Sequence, residues 1–327
     1  MRIIRTRREA APGLLSTPVA TIGVFDGVHL GHQHLLKALE SWALEAGGGD
    51  RVVVTFDRHP AEVLGQRPPV FLTSLEHRLA LLERHGATAV LVLEFDRELS
   101  TWSPERFVEE VIVRSLGAER LLLGFNSSFG AGGRGNAAYL LDHPELGVEV
   151  RECTPFELDG EAVSSTSIRQ AVLKGEIRKA ARALGRPMSL YGKVMHGDGR
   201  GRELGFPTAN LNLMHAAAPP HGVYYSRTII EGVPRPSLVN IGRRPTFMRH
   251  DDPVDYSRYF NEQLDRVEVY LHGFEGNLYD QDLEVELHGK VRDERRFPGK
   301  GALVEQIHKD VLSLESWWNT EGAAIPR

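Results

Sequence analysis

The sequence predicts two domains of different fold class: an α/β domain with a parallel sheet, followed by a small all-β barrel or sandwich. The first half alternates short apolar segments with segments of helical periodicity, which is the pattern of parallel strands joined by crossover helices. The second half has short strand-like segments at close spacing, which is typical of small barrels and sandwiches. A length of 327 residues also suits two domains.

Strands and helices take turns along the first half. The predicted strands are 18–25, 51–56, 88–95 and 120–125, and the predicted helices between them are 30–46, 73–86 and 103–117. Ser103 caps the last of these helices and Pro104 suits its first turn, while Gly86 and Gly117 end helices. Ligands of such sheets bind beyond the carboxyl ends of the strands, so we expect a site in the segments that follow them.

The pattern changes at Gly185, where GRPMS interrupts the periodicity after two short helical segments between 164 and 184. We therefore predict domains at 1–184 and 185–327. The predicted strands of the second domain are LYGKVMHG, GVYYSRTII, SLVNIG, RVEVYLHGF and LEVELHGKV, and a helix-spaced set at Leu303, Ile307, Val311 and Leu314 predicts a terminal helix.

Composition excludes several classes of protein. A formal charge of −5 argues against a general nucleic-acid or membrane-surface binder, and no apolar run approaches the length of a membrane span. One cysteine, Cys153, builds neither a disulfide framework nor a cysteine-based zinc site. The basic N-terminus MRIIRTRREA lacks the apolar stretch of a secretion signal, although its arginines leave a transit peptide open. We predict a cytoplasmic protein without nucleic-acid or membrane partners.

The segment GVFDGVHLGHQHLL follows the first predicted strand and leads into a helix. A helix start offers unpaired N–H groups and a positive dipole end to an anion. His29 and His32 are spaced to point at one place, where imidazole N–H groups can stabilise the charge of a reacting phosphate. The same histidines also suit an ordinary helix cap, and the three imidazoles of HLGHQH suit a metal. The segment alone leaves these three interpretations open.

Two further segments have the composition of phosphate sites. VSSTSIRQAVLKG places hydroxyls and Arg169 at a predicted helix start, which suits a polyphosphate or an ordinary capped helix. HGDGRGRELGFPTANL combines glycines with Arg200 and Arg202, and then offers oxygen ligands at Thr208 and Asn210 that suit Mg²⁺. A surface loop is the alternative for the glycine-rich part.

One predicted strand, RVEVYLHGF, has a single buried face, because Val267, Val269 and Leu271 alternate with polar residues. Glu268 falls on the other face. By itself this is an ordinary solvent-facing position for a carboxylate.

These motifs together resemble a known family. HxGH near the start of a parallel α/β domain, with SSTSIR near its end, resembles the HxGH nucleotidyltransferase superfamily. GVFDGVHLGH, TFDRHP and VSSTSIR resemble, more narrowly, the FMN adenylyltransferase half of the bacterial bifunctional riboflavin kinase/FAD synthetases. GFPTAN, GVYYSR, LVNIGRRPTF, VEVYL and VRDERRFPG resemble the riboflavin kinase module, so the resemblance runs from about Val19 to about Asp310.

The resemblance implies a Rossmann-like HxGH nucleotidyltransferase domain with a parallel sheet, then a small β-barrel riboflavin kinase domain with a terminal helix. It implies that ATP phosphorylates riboflavin to FMN, leaving ADP. A second ATP then adenylylates FMN to FAD with release of pyrophosphate. Mg²⁺ is expected at both sites, because it neutralises phosphate charge.

The resemblance also implies roles for individual residues. The catalytic residues are His29, His32 and Glu268, the last as the base for the riboflavin 5′-hydroxyl. ATP and its phosphates are assigned to Gly23, Phe25, Gly31, Ser164, Ser165, Thr166, Arg169, Gly199, Arg202, Gly205 and Thr208. The flavin is assigned to Asp57, His59, Asn126, Arg292 and Glu294, and Mg²⁺ to Thr208 and Asn210.

Several positions depart from the family pattern. Asn126 and Ser128 stand where many members have an acid and an arginine. Arg58 replaces a common proline, Gly273 replaces a usual aspartate, and the segment 248–266 is longer than the usual link. These departures leave open a flavin-binding sensor that has lost an activity, or a monofunctional kinase. An adenylyltransferase for another phosphorylated acceptor is a further alternative, against which the GFPTAN-containing half argues.

Overall fold

A six-stranded parallel sheet lies at the centre of the first of two units into which the chain divides. The computed structural model describes residues 1–11, 13–197, 200–213, 216–242 and 266–324. The first unit comprises Met1–Pro69 and Leu75–Ser164, and the second comprises Val70–Ser74 and Ser165–Arg327. The helical segments before Gly185 are thus grouped with the second unit, while the predicted boundary at Gly185 stays a prediction.

The sheet has the spatial order β1-β4-β3-β2-β5-β6. Its strands are β1 (Arg2–Ile4), β2 (Val19–Ile22), β3 (Arg51–Phe56), β4 (Ala89–Leu93), β5 (Arg120–Gly124) and β6 (Glu149–Cys153). The four predicted strands are confirmed as β2 to β5. The edge strands β1 and β6 were not predicted, because β1 is only three residues long and β6 exposes most of its side chains. The winding reverses between β2 and β5, which makes this the topological switch point of the sheet.

Helices cover both faces of the sheet. They are α1 (Leu30–Glu45), α2 (Pro60–Val63), α3 (Leu75–Arg84), α4 (Arg97–Ser100), α5 (Pro104–Phe107) and α6 (Ala137–Leu141). Apolar side chains of α1 and α3 pack against one face, and those of α5 and α6 against the other. Ser103 caps α5 as predicted, accepting from the Arg106 N–H at 3.3 Å, but the helix is π-wound over Val108–Ser115. A small hairpin of β7 (Glu157–Leu158) and β8 (Glu161–Ala162) follows the sheet.

The second unit contains a closed barrel rather than a sandwich, with the order β10-β13-β12-β11-β14-β9. Its elements are α7 (Ser165–Leu173), α8 (Ile177–Leu184), β9 (Met188–Met195), α9 (Arg200–Glu203), β10 (Thr208–Asn212), β11 (Gly222–Ile230), β12 (Val233–Gly242), β13 (Arg266–Leu271), β14 (Asp282–Arg292) and α10 (Lys300–Thr320). The five predicted strands and the terminal helix are confirmed. Strand β10 was not predicted, because little of it is buried and it lacks an apolar alternation.

Strand β13 shows the predicted alternation: Val267, Val269 and Leu271 are buried, and Glu268 is half-buried on the opposite face. On the outside of the barrel, Leu314 and Trp317 of α10 pack against Val223 and Leu238. Among the described residues, no helix combines the length and apolar character that crossing a bilayer requires.

Candidate active sites

Three predicted ligand-binding segments follow neighbouring strands of the parallel sheet. GVFDGVHLGH follows β2, TFDRHP spans the end of β3, and GFNSS spans the end of β5. Because β2 is hydrogen-bonded to both β3 and β5, the segments share one edge of the sheet at the switch point. We call segments 23–32 and 57–59 together with Asn126 the sheet-edge site.

The turn after β2 has unusual backbone angles. Phe25 has φ 55°, Gly27 has φ 82° and Val28 has φ 38°. Positive φ costs a non-glycine residue roughly 1–3 kcal/mol, and a β-branched side chain is especially rare there. Hydrogen bonds hold the turn: the Thr55 hydroxyl donates to the Val24 carbonyl at 3.1 Å, and the Gln33 amide donates to the Val28 carbonyl at 2.9 Å. Strained backbone of this kind is concentrated at functional sites.

The two predicted catalytic histidines, which follow this turn, form a stacked pair. Their ring centroids are 3.7 Å apart with an angle of 19° between the planes. His29 is the N-cap of α1, and its Nδ1 accepts from the His32 backbone N–H at 3.4 Å. Nε2 of a neutral His29 therefore carries the proton and can donate to a phosphate oxygen. Gly31 leaves room for this arrangement, since a Cβ there would lie 3.1 Å from the His29 ring.

The structure argues against one of the three interpretations of these histidines, the metal site. His34, the third imidazole of HLGHQH, packs against Phe156 with centroids 6.0 Å apart and does not join the stacked pair. Across the described ranges there is no group of three His, Cys, Asp or Glu side chains arranged to hold a metal. The capping and phosphate-binding interpretations are both compatible with the observed geometry.

The TFDRHP segment carries two of the residues assigned to the flavin. Asp57 accepts from the Phe95 N–H at 2.9 Å, and Arg58 donates to its other oxygen at 2.8 and 3.0 Å. The hydrogen bond and charge of Asp57 raise the pKa of Arg58. His59 caps α2 by accepting from the Ala61 N–H at 3.1 Å. The sheet-edge site thus has a positively charged side chain next to it, Arg58, at a position where the family commonly has proline.

The residues after β5 are open to solvent. Asn126 and Ser128 have exposed side chains, and Phe125 beside them is 41% exposed. Ser127 folds back, because its hydroxyl accepts from the Gly124 N–H at 3.0 Å. The turn thus leaves the amide of Asn126 exposed at the sheet edge.

The SSTSIR motif lies at the start of α7, as predicted. Ser164 is the last residue of the first unit, and Ser165, Thr166 and Arg169 belong to the second. Ser165 and Arg169 are half-buried and Thr166 is exposed. The Nε of Arg169 donates to the Val70 carbonyl at 2.6 Å, which fixes the side chain within its unit.

A second group of predicted residues surrounds a cleft in the barrel. The antiparallel register places Asn210 of β10 directly opposite Glu268 of β13, with Thr208 opposite Tyr270. On its other side Glu268 is opposite Asn240 of β12. The cleft is open to solvent and is lined by Gly197, Gly201, Arg202, Pro207, Thr208, Asn210, Arg266, Glu268 and Tyr279. We call this feature the barrel cleft.

Two glycines shape the barrel cleft around its oxygen ligands. A Cβ at Gly197 would lie 2.0 Å from the amide nitrogen of Asn210, and one at Gly201 would lie 3.0 Å from the hydroxyl of Thr208. Glycine lets the loop approach these two side chains without displacing them. Hydroxyl and amide oxygens are the hard ligands that Mg²⁺ takes beside nucleotide phosphates. The donor set therefore fits the predicted metal.

Arg266 is a member of the barrel cleft that was not predicted. Its Nε lies 3.1 Å from a Glu268 carboxylate oxygen and 3.3 Å from the side-chain oxygen of Asn210. Arg266 thus contacts both of these side chains. The sequence held one signal: two residues apart on a strand, Arg266 and Glu268 share a face.

The remaining barrel residues assigned to ligands lie in several places. Arg292 donates to the buried carboxylate of Asp310 on α10 at 2.9 Å, and Glu294 lies against the backbone of Gly242. Gly205 forms a turn with φ 84°, and Gly273, in place of the usual aspartate, has φ 65°. Gly199 and the segment 248–265 lie outside the described residues.

Comparison with known proteins gives one family match for each half of the chain. The chain matches the family models FAD synthetase over residues 13–167 and riboflavin kinase over residues 184–318. It is 34% identical to the bifunctional riboflavin kinase/FMN adenylyltransferase of Haemophilus influenzae, over 98% of this chain and 100% of that protein. The protein of the same name from Pseudomonas fluorescens is 37% identical, with 91% and 92% covered.

A solved structure resembles nearly the whole chain. It is described as a macrolide-efflux protein from Streptococcus pneumoniae, with a TM-score of 0.78 and 27% identity over 96% of this chain and 98% of that one.

The fold and the two sites define a nucleotidyltransferase-like α/β domain followed in the same chain by a kinase-type barrel with a terminal helix. The chain belongs to the bifunctional riboflavin kinase/FMN adenylyltransferase family. It is an enzyme with both activities.

Proposed function

We propose that riboflavin is phosphorylated in the barrel cleft and that the FMN produced is adenylylated at the sheet-edge site, with domains at 1–184 and 185–327. The observation that supports this most directly is the register that sets Glu268 opposite Asn210. It puts a carboxylate beside a hard oxygen ligand in a cleft open to solvent. Phosphoryl transfer to an alcohol requires this combination of a proton acceptor and a charge-neutralised phosphate.

In the kinase step Glu268 accepts the proton of the riboflavin 5′-hydroxyl as the oxygen attacks the γ-phosphorus of ATP, giving FMN and ADP. Thr208 and Asn210 would hold Mg²⁺, which neutralises phosphate charge when bound. Gly199, Arg202, Gly205 and Thr208 are proposed to bind the phosphates, and Arg292 and Glu294 the flavin. A positioned base contributes about 10²–10⁴ in rate.

In the adenylyl step an FMN phosphate oxygen attacks the α-phosphorus of ATP and pyrophosphate leaves, so that FAD forms without a covalent enzyme intermediate. His29 and His32 donate hydrogen bonds to the phosphate as its charge rises. Gly23, Phe25 and Gly31 shape the nucleotide site, and Ser164, Ser165, Thr166 and Arg169 are proposed to bind the polyphosphate. Asp57, His59 and Asn126 are proposed to hold FMN. Mg²⁺ is proposed to be needed here too.

The flavin-sensor alternative rests on the changes at Asn126, Ser128 and Gly273, and the match of both halves of the chain to the enzyme families argues against it. The test is to incubate the purified protein with riboflavin, ATP and Mg²⁺ and to separate riboflavin, FMN and FAD over time. We expect FMN first and FAD later. FMN alone would mean that the sheet-edge site is inactive, and tight flavin binding without product would support the sensor. A cytoplasmic location remains a prediction from the single cysteine.

A further inference from the structure

A buried arginine on α3 connects two segments of the sheet-edge site. Arg78 is 1% exposed. Its Nη1 donates to the Val24 carbonyl at 2.8 Å, and its Nη2 donates to the Phe56 carbonyl at 2.7 Å. Val24 immediately precedes the strained turn that carries the histidines, and Phe56 immediately precedes Asp57. One guanidinium therefore spans the starts of two ligand-binding segments.

Stability alone is a poor explanation for a charge in this position. Burial lowers the pKa of Arg78 to about 10, an effect that the nearby Asp26 carboxylate partly offsets, so the side chain stays charged at neutral pH. Asp26 is itself only 3% exposed. Replacing a whole buried ion pair with apolar side chains of similar size is often neutral or stabilising, whereas removing one partner alone is destabilising. Leu79, Leu81 and Leu82 of α3 belong to the apolar core, while His77 and Thr55 are buried polar residues.

The shape of the guanidinium explains why arginine is needed. Its planar fork presents two N–H groups at a fixed separation, and here one binds the Val24 carbonyl, just beyond the end of β2, and the other the Phe56 carbonyl at the end of β3. A lysine ammonium is a single point and cannot hold both carbonyls in the same geometry. The guanidinium thus links the turn after β2 to the start of 57–59, in addition to the Thr55 hydroxyl, which donates to the same Val24 carbonyl at 3.1 Å.

We propose that Arg78 is a positioning residue for adenylyl transfer, which fixes the spacing between the turn that presents His29 and the segment 57–59 that holds FMN. This inference rests on the function proposed above for the sheet-edge site. In-line attack depends on the alignment of the FMN phosphate with the α-phosphorus, and a displacement of about 1 Å can cost about 10²-fold in rate. Arg78 touches neither reactant in this proposal and acts through the backbone.

The test compares Arg78→Lys and Arg78→Met in the full chain. FAD formation is measured from supplied FMN and ATP, FMN formation from riboflavin and ATP, and the unfolding temperature is recorded. We expect kcat for FAD formation to fall by about 10²-fold in both variants, with a much smaller change in the KM for ATP, because the binding groups remain. FMN formation should be unchanged.

Chemical rescue separates positioning from folding. In Arg78→Ala, millimolar methylguanidinium should restore kcat for FAD formation, whereas methylammonium should not, because only the first provides the fork. Arg227→Lys is the matched control. Arg227 is also 1% exposed, but it pairs with Glu286 inside the second unit, so this variant should keep FAD formation.

Each other result overturns the inference. Wild-type FAD formation in both Arg78 variants would do so, as would a loss of FAD formation that only follows the fraction of unfolded protein. His29→Ala, assayed in parallel, distinguishes the two levels of the argument. If it abolishes FAD formation while the Arg78 variants are active, the proposed function stands and the role of Arg78 is wrong. If it leaves FAD formation intact, the proposed site itself is wrong.

Discussion

The sheet-edge site and the barrel cleft are both proposed to bind reacting phosphates, but they are built from different structural elements. The sheet-edge site is built from loops: a turn with two non-glycine residues at positive φ presents a stacked pair of imidazoles. The barrel cleft has loop residues in its lining, but its proposed base and metal ligand come from strands, whose register sets Glu268 opposite Asn210. One site relies on strained backbone held by hydrogen bonds, and the other on the regular spacing of a closed barrel.

The difference matches the chemistry proposed for each site. FMN already carries an ionised phosphate, so adenylyl transfer needs alignment and charge stabilisation but no base. The riboflavin hydroxyl must lose a proton, so the kinase step needs a carboxylate at a fixed position. A strand holds one side chain rigidly in place, whereas a turn followed by a helix start gathers several donors at one point. The strand-borne carboxylate therefore fits the riboflavin hydroxyl, which needs a base, and the donor-rich turn fits the FMN phosphate, which does not.

Removal of Mg²⁺ should have the largest effect of all, because it should abolish the reactions at both sites. With excess EDTA we expect both products to fall to background, because phosphate charge is then not neutralised in either step. Product chromatography with and without added Mg²⁺ checks this. FAD formation that continues in EDTA would restrict the metal to the barrel cleft, where Thr208 and Asn210 are the proposed ligands.

Glu268→Gln should impair only the reaction proposed for the barrel cleft, FMN formation. The amide has the same size but a far weaker affinity for a proton, so FMN formation should fall by about 10²–10⁴-fold. FAD formation from supplied FMN should not change and serves as the internal control for folding. Near-normal FMN formation would mean that Glu268 is not the base.

Changing both His29 and His32 to alanine should produce the opposite pattern. Loss of donors to a developing charge typically costs about 10²–10³-fold, so FAD formation should fall while FMN formation continues. His34→Ala is the matched control, since this neighbouring imidazole packs against Phe156 instead. Equal loss of both steps in a folded double variant would contradict the separation of the two sites.

Arg266→Gln should have the smallest effect of the four. Its contacts with Glu268 and Asn210 are charge-assisted, and losing one such interaction is worth about 1.5 kcal/mol, or about tenfold in rate. We expect that reduction in FMN formation and none in FAD formation. Arg235→Gln, which alters another half-buried arginine of the barrel away from the cleft, is the control. An equal reduction in both variants would assign the effect to barrel stability.

Local pattern determined much of this protein from the sequence alone. Strands β3 to β5 are dense in buried valine and leucine, and Ser103 is an N-cap; both features depend on neighbouring residues. The alternation around Glu268 likewise identified a strand with one buried face. The two histidines and the proposed metal ligands were found by motif, since HxGH and PTAN keep their chemistry within a few positions.

Only the tertiary structure decided which distant residues meet. The short edge strands β1 and β6 and the half-exposed β10 gain their hydrogen bonds from partners far along the chain, so their own composition gives little signal. Arg78 looks like an ordinary helix residue until α3 is packed beneath Val24 and Phe56. Arg266 is recognised as part of the cleft only once the barrel register places Asn210 beside its strand. Sequence spacing encodes periodicity and local capping, whereas such contacts depend on how packed elements bring remote positions together.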